Sequence, residues 1–188
     1  MKGLKVVLLF QCVGLLNSGW SQSSFVFANS SNAPVFDASG QPLFGAEYSA
    51  MLYGGLAPDS LIHALSERAK PLDPAPFTRL RNGEAGYFDG GTAFFMEADS
   101  TPIWLRVRAW DNRLGSTYED VVAQGIGGYG ESSLLQLAGG CATCTPIGQP
   151  TSLLGLQSFS LSPVVPEPSS ALLLLLGVPW LVWRCRRK

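Results

Sequence analysis

Two cysteines separated by two residues, Cys141 and Cys144, are the pair with the most informative spacing in this 188-residue chain. This spacing is used by redox-active dithiols and zinc sites, but a redox pair normally opens a helix. Here the surrounding Gly, Thr and Pro residues indicate a loop. The sequence therefore favours a disulfide that staples a loop, with free thiols and a redox or metal role as the alternatives.

The other residues that could take part in catalysis or metal binding lack a supporting motif. His63 is the only histidine, which excludes a site with two imidazole ligands, and no Gly-x-Ser-x-Gly elbow supports a catalytic triad. Paired carboxylates for glycoside hydrolysis remain open, but no motif identifies them. Asp89, Asp99, Asp111 and Asn112 fall in predicted loops without the spacing of a calcium site, which favours solvated turn residues. We expect no cofactor, no metal and no enzymatic activity.

A regular alternation over residues 102–110 predicts a strand, and it places Trp104, Arg106, Arg108 and Trp110 on one face. Two hypotheses account for this face. The four side chains pack under a loop or a neighbouring element, with the guanidinium groups paired to acids. Alternatively, they form an exposed ladder that stacks on sugar rings and holds acidic groups of an extracellular polysaccharide.

Short alternating segments separated by turn residues predict an all-β domain, a jelly-roll-like β-sandwich with at most one or two short helices. Strands are expected at 24–28, 44–53, 102–110 and, less regularly, 153–161. A further hairpin is expected from 86–88 and 92–97 around Asp89-Gly90-Gly91.

Few segments of this domain favour a helix. A helix over 118–124 is indicated by a capping box from Ser116 to Glu119 and by Gly125 as its end. Residues 59–70 fit either a short helix or a strand. The proline-rich segment 70–77 is expected to be neither, and the Gly-, Thr- and Pro-rich segment 138–151 is expected to be a loop.

Both ends of the chain have the composition of targeting segments. Lys2 and Lys5 precede an apolar stretch at 6–16, with small residues before Gln22, which predicts a signal peptide over 1–21. At the other end, a proline-marked segment precedes an apolar run at 171–183 and four cationic residues at the terminus. The cations favour the cytoplasmic side. Thirteen apolar residues fall short of the roughly 20 that a transmembrane helix needs, which favours a temporary stop over a permanent tail anchor.

The C-terminal arrangement of Pro166-Glu167-Pro168, an apolar segment and a basic tail resembles the PEP-CTERM sorting signal of exported bacterial proteins. The resemblance implies that a membrane peptidase of the exosortase type recognises this motif and removes the tail after transient anchoring in the inner membrane. Segments 86–91, 107–111 and 115–119 also resemble a passenger domain of small PEP-CTERM proteins. That resemblance implies a secreted all-β domain with no assigned activity.

These readings divide the chain into a signal peptide at 1–21, an exported domain at 22–162 and a sorting signal at 163–188. Without the targeting residues, positions 22–165 carry seven Lys and Arg against thirteen Asp and Glu, a net charge of about −6. So acidic a domain is a poor partner for nucleic acid or anionic lipid. We expect a non-enzymatic protein of the cell surface or extracellular matrix. A glycan-binding module of the polysaccharide layer, or less readily a secreted hydrolase, is the alternative.

Overall fold

The computed structural model describes residues 22–29, 33–80, 82–96, 101–141, 144 and 146–165. The predicted signal peptide and the sorting residues Pro166, Glu167 and Pro168, with the apolar and basic segments after them, lie outside the described residues. Within the described ranges, no helix has both the length and the apolar character needed to cross a membrane.

The described ranges contain twelve strands and one helix. The longer strands are β1 (Ser23–Ala28), β3 (Gly45–Gly55), β6 (Tyr87–Phe95) and β7 (Pro102–Asp111). The helix α1 spans Tyr118–Gln124. The shorter strands are β2 (Val35–Phe36), β4 (Ile62–His63), β5 (Ala75–Thr78), β8 (Tyr129–Glu131), β9 (Leu135–Ala138), β10 (Gly140–Cys141), β11 (Thr151–Ser152) and β12 (Phe159–Ser160).

Ten of these strands form one sheet with the order β10-β1-β6-β5-β3-β7-β8, in which β11 joins β1, β4 joins β3 and β9 joins β7. Its pairings are antiparallel except that of β1 with β11, and β2 pairs with β12 in a small parallel sheet. The predicted all-β class is confirmed. Strand β6 is hydrogen-bonded to β1 on one side and to β5 on the other, so the large sheet is not divided into two separate sheets.

Strand β6 runs unbroken through Asp89-Gly90-Gly91, so the predicted hairpin around these residues is wrong. The pairing with β1 shifts at this point, which marks a β-bulge. Gly91 has a φ of 74°, and a Cβ atom on Gly90 would overlap the ring of Phe27. The glycines therefore accommodate a bulge inside one strand. Strand β6 pairs with β5 before the bulge, and it pairs with β1 on both sides of the bulge.

The predicted strands near β1, β3 and β7 are confirmed, but three other expectations change. Segment 70–77 contains most of β5, where Pro76 is tolerated because the pairing with β3 is irregular beside it. Segment 153–161 is mostly not a strand, since only its end joins β12. The expected loop at 138–151 includes β10, and segment 59–70, which fitted either a helix or a strand, contains the strand β4.

The predicted helix is confirmed residue for residue, whereas its capping box is displaced by one position. Thr117, not Ser116, is the N-cap: its side chain accepts a hydrogen bond from the Asp120 N–H, and the Asp120 carboxylate accepts one from the Thr117 N–H. The helix ends at Gly125, which has a left-handed φ of 69°. Val121 is fully buried, so the inner side of α1 packs against the sheet.

Candidate functional site

The face of β7 that carries the predicted ladder is not a free surface. Trp110 is only 2% exposed, and its ring meets Tyr118 of α1 edge to face with centroids 6.5 Å apart. Of the two hypotheses for this face, the fully exposed ladder therefore fails at Trp110, because α1 covers that end of the strand. Trp104 at the other end is half-buried. The opposite face is core, as the alternation predicts, with Ile103, Leu105, Val107 and Ala109 buried.

The two arginines between the tryptophans are engaged in ion pairs. Arg106 pairs with Glu131, and Arg108 lies 3.5 Å from both Glu131 and Glu119. The Arg108 guanidinium also lies over the rings of Tyr53 and Tyr118, 4.3 Å and 4.9 Å from their centroids. Both arginine side chains are 22% exposed. Their charges are thus compensated within the domain, which leaves little to attract an acidic polymer.

Beside this cluster, a cleft of about 360 Å³ lies between α1, the end of β4 and the segment before β5. Its floor consists of buried side chains: Met51, Tyr53, Leu72, Trp110 and Tyr118. Its rim is polar and exposed, and the residues there include His63, Asp73, Ser116, Thr117 and Glu119. The volume lies within the range of about 300–1,000 Å³ typical of small-molecule sites. An apolar floor with a polar rim suits a ligand that has one apolar face and polar edges.

The floor tyrosines are held in their neutral form. Burial raises the pKa of Tyr118 to about 12, with a further contribution from the negative charge of Glu131. Burial also raises the pKa of Tyr53, and its hydrogen bond to Glu119 adds to the effect. The His63 ring meets Tyr53 edge to face at 6.2 Å, so the only histidine is a rim residue of the cleft.

The two cysteines flagged in the sequence are joined by a disulfide, with Cα atoms 5.4 Å apart. Cys141 is buried at the end of β10, which pairs with β1, whereas Cys144 is exposed. The bridge therefore ties a surface loop to the sheet and lies outside the set of residues that lines the cleft.

The residues considered for calcium are occupied by hydrogen bonds. Asp89 accepts from the Gly91 N–H, and Asp111 forms a bidentate pair with Arg113. Asn112 donates to the carbonyl of Ala46. Asp99 lies outside the described residues. Among those that are described, no three His, Cys, Asp or Glu side chains cluster in a way that fits a metal ion.

The cleft brings together residues that sequence reasoning did not connect. Tyr53 lies in β3, Asp73 lies before β5 and Tyr118 lies in α1, and each belongs to a different segment. The only sequence signal for these cleft residues was local: Tyr118 and Glu119 begin a helix with a clear N-cap and C-cap. That signal does not say where the helix packs on the sheet, and so it could not place these residues relative to β7. Searched against protein-family models, curated proteins and solved structures, the chain matches none of them.

Proposed function

We propose that this chain is an exported, non-enzymatic protein of the cell surface or extracellular matrix, processed at Pro166-Glu167-Pro168. The sorting peptidase is the partner implied by the resemblance to PEP-CTERM proteins. The observation that carries the proposal is the order of residues in 166–188, where the Pro-Glu-Pro motif precedes an apolar run at 171–183 and four cationic residues. Among the described residues, the last core residue is Leu161, and backbone hydrogen bonds reach Val165, directly before the motif.

The segment before the motif is tied down by its backbone. Ser162 donates to the Tyr129 carbonyl and accepts from the Gly128 N–H, and Val165 donates to the Ile126 carbonyl at 2.7 Å. A Cβ atom on Gly127 would overlap the carbonyl of Pro163, so this close approach requires glycine. Among the described residues the tethered segment reaches Val165, three positions beyond the predicted boundary at 162. Cleavage at the motif would consequently leave the described core and its hydrogen bonds intact.

The test is processing in a bacterial cell that has a sorting peptidase of this type. Glu167→Ala should make the precursor accumulate in the membrane, whereas Glu84→Ala, which changes an exposed acid of the domain, should be processed normally. Intact-mass analysis of the surface form should show a chain that lacks Lys188. A surface form that still ends at Lys188 would refute the proposal.

A glycan-binding module is the second candidate, and the cleft beside α1 favours it. In this proposal the polar rim of the cleft makes the hydrogen bonds to the sugar, and the arginines of β7 do not. The test compares how strongly purified matrix polysaccharide retains the wild-type domain and variants of the cleft rim. Weaker retention of the rim variants supports the glycan-binding module, and equal retention supports the first candidate.

We also propose that the bent sheet is a β-sandwich of the jelly-roll type. In support, Gly54 of β3 lies directly against the Phe95 ring of β6, although β5 separates these strands in the sheet order. This contact is expected if the two halves of the sheet face each other across a shared core. A solved structure that shows an open, single-layered sheet would contradict this layout.

A further inference from the structure

We infer that the cleft between α1 and the segment before β5 binds a single sugar ring that carries no carboxylate or sulfate. This inference deepens the glycan-binding candidate and rests on it for the source of the ligand. Its chemistry rests on the cleft: an apolar floor of buried aromatic rings, a rim of hydrogen-bonding groups and an excess of negative charge.

The floor supplies an apolar patch of limited area, because its side chains are each only 2–8% exposed, and this patch contacts part of the apolar face of a sugar. Tyr118 is the centre of an aromatic group, with ring centroids 6.4 Å from Tyr53 and 6.5 Å from Trp110. These rings are fixed by their packing and by Arg108, which lies over two of them. A rigid aromatic floor binds a ring with little loss of side-chain entropy on association.

The rim supplies acceptors for sugar hydroxyl groups. Asp73 and Glu119 are exposed carboxylates on the cleft, and Ser116 and Thr117 provide hydroxyl groups beside them. Hydrogen bonds from hydroxyl groups to carboxylates are charge-assisted and stronger than neutral ones. Glu119 is held in place by the Tyr53 hydroxyl, so this acceptor is oriented before a ligand arrives.

Charge decides which sugars fit. The cleft lining contains two carboxylates and no Lys or Arg; Glu119 is paired with the nearby Arg108, whereas Asp73 forms no ion pair within the described residues. The region 22–165 carries a net charge of about −6. An acidic sugar would meet like charges at the rim and in the wider field. The site therefore selects uncharged sugars, the opposite of the acidic polymer expected for an arginine ladder.

The experiment is an NMR titration of the folded domain with cellotriose, mannotriose and trigalacturonate. We expect amide shifts at His63, Asp73 and Glu119 with at least one neutral trisaccharide, with a dissociation constant on the order of 1 mM. Trigalacturonate should bind at least tenfold more weakly. Asp73→Asn should weaken neutral binding about tenfold, as expected for the loss of a hydrogen bond to a charged group. Asp59→Asn, an exposed acid outside the cleft, is the matched control.

Three outcomes would overturn the inference. These are no shifts with either neutral trisaccharide at about ten times the expected dissociation constant, equal binding of trigalacturonate, or equal losses for the Asp73 and Asp59 variants. Equal melting temperatures of both variants and the wild type show that the comparison concerns binding rather than folding. A negative titration leaves the sorting proposal intact, because processing at Glu167 is measured independently on the full chain.

Discussion

The Tyr53 hydroxyl of β3 donates a hydrogen bond of 2.9 Å to the Glu119 carboxylate in the first turn of α1. The two residues are 66 positions apart, and their bond fixes the helix over the sheet at the edge of the cleft. Arg108 of β7 completes the group, since it lies over the Tyr53 ring and pairs with Glu119. The position of α1 is therefore specified by a polar contact as well as by the burial of Val121.

Tyr53→Phe should reduce the free energy of unfolding by about 1 kcal/mol, because it removes this bond and keeps the ring. The value is modest because the Glu119 side chain is 59% exposed and water replaces the lost donor. Urea denaturation measures the change. Tyr48→Phe is the matched control, since the Tyr48 hydroxyl only accepts an exposed bond from Arg113. Equal effects of the two variants would show that the contact with α1 contributes nothing specific.

Stability should fall at alkaline pH through the buried tyrosines. Burial raises the pKa of Tyr118 from 10.0 to about 12. Below pH 10 the tyrosine keeps its proton in both the folded and the unfolded state, so its contribution to stability is fully present. Between pH 10 and about 12 the unfolded state loses the proton first. The free energy of unfolding should then fall by up to about 1.4 kcal/mol per pH unit for this residue. Tyr118→Phe should lessen the slope in urea titrations, and an unchanged slope would contradict the assignment.

Asp111 should contribute to stability at neutral pH and lose that contribution in acid. Its burial disfavours the charge, but the hydrogen bonds and the positive charge of Arg113 outweigh this and lower the pKa below 3.8. The contribution is therefore complete above about pH 4 and disappears as the pH falls through the folded-state pKa. Asp111→Asn should lower stability at pH 7 and should flatten the acid limb of the stability curve. Asp59→Asn, at an exposed position, should leave the limb as it is.

Gly90→Ala should destabilise the domain by about 1–3 kcal/mol, because the new methyl group overlaps the buried Phe27 ring. Gly91→Ala meets no atom within 4 Å, and its cost comes only from a φ of 74°. A double-mutant cycle distinguishes the two causes. Phe27→Leu should offset part of the Gly90→Ala effect and none of the Gly91→Ala effect. Coupling of Phe27 with Gly91 instead would contradict this account of the bulge.

The Cys141–Cys144 bridge should contribute about 2 kcal/mol or less, since it closes a very short loop. Cys144→Ser should lower the free energy of unfolding by that amount under oxidising conditions. Mass spectrometry with alkylation before reduction provides the direct measurement. Two alkylated cysteines in the peptide from exported protein would show that the bridge is not formed.

Local patterns in the sequence were enough to predict the strands β1, β3 and β7 and the helix α1. Ile103, Leu105 and Val107 alternate with polar neighbours, and this period of two specifies both the strand β7 and its buried face. The capping residues and Gly125 specify the limits of α1. These signals are readable because each depends on residues only a few positions apart. The signal peptide and the sorting motif are local patterns of the same kind, and they stay predictions.

The tertiary structure decided what the long-range partners are. The alternation of β7 put Trp110 on the same face as Arg106, but whether α1 would cover that face depended on contacts across the fold. Glycines at 90 and 91 fit a turn as well as a bulge, and the choice was made by the pairing of β6 with both β1 and β5. The cleft likewise exists only because Tyr53, Asp73 and Glu119 converge from separate segments. Burial and pairing are properties of the whole packed chain, whereas periodicity and capping belong to a few neighbouring residues.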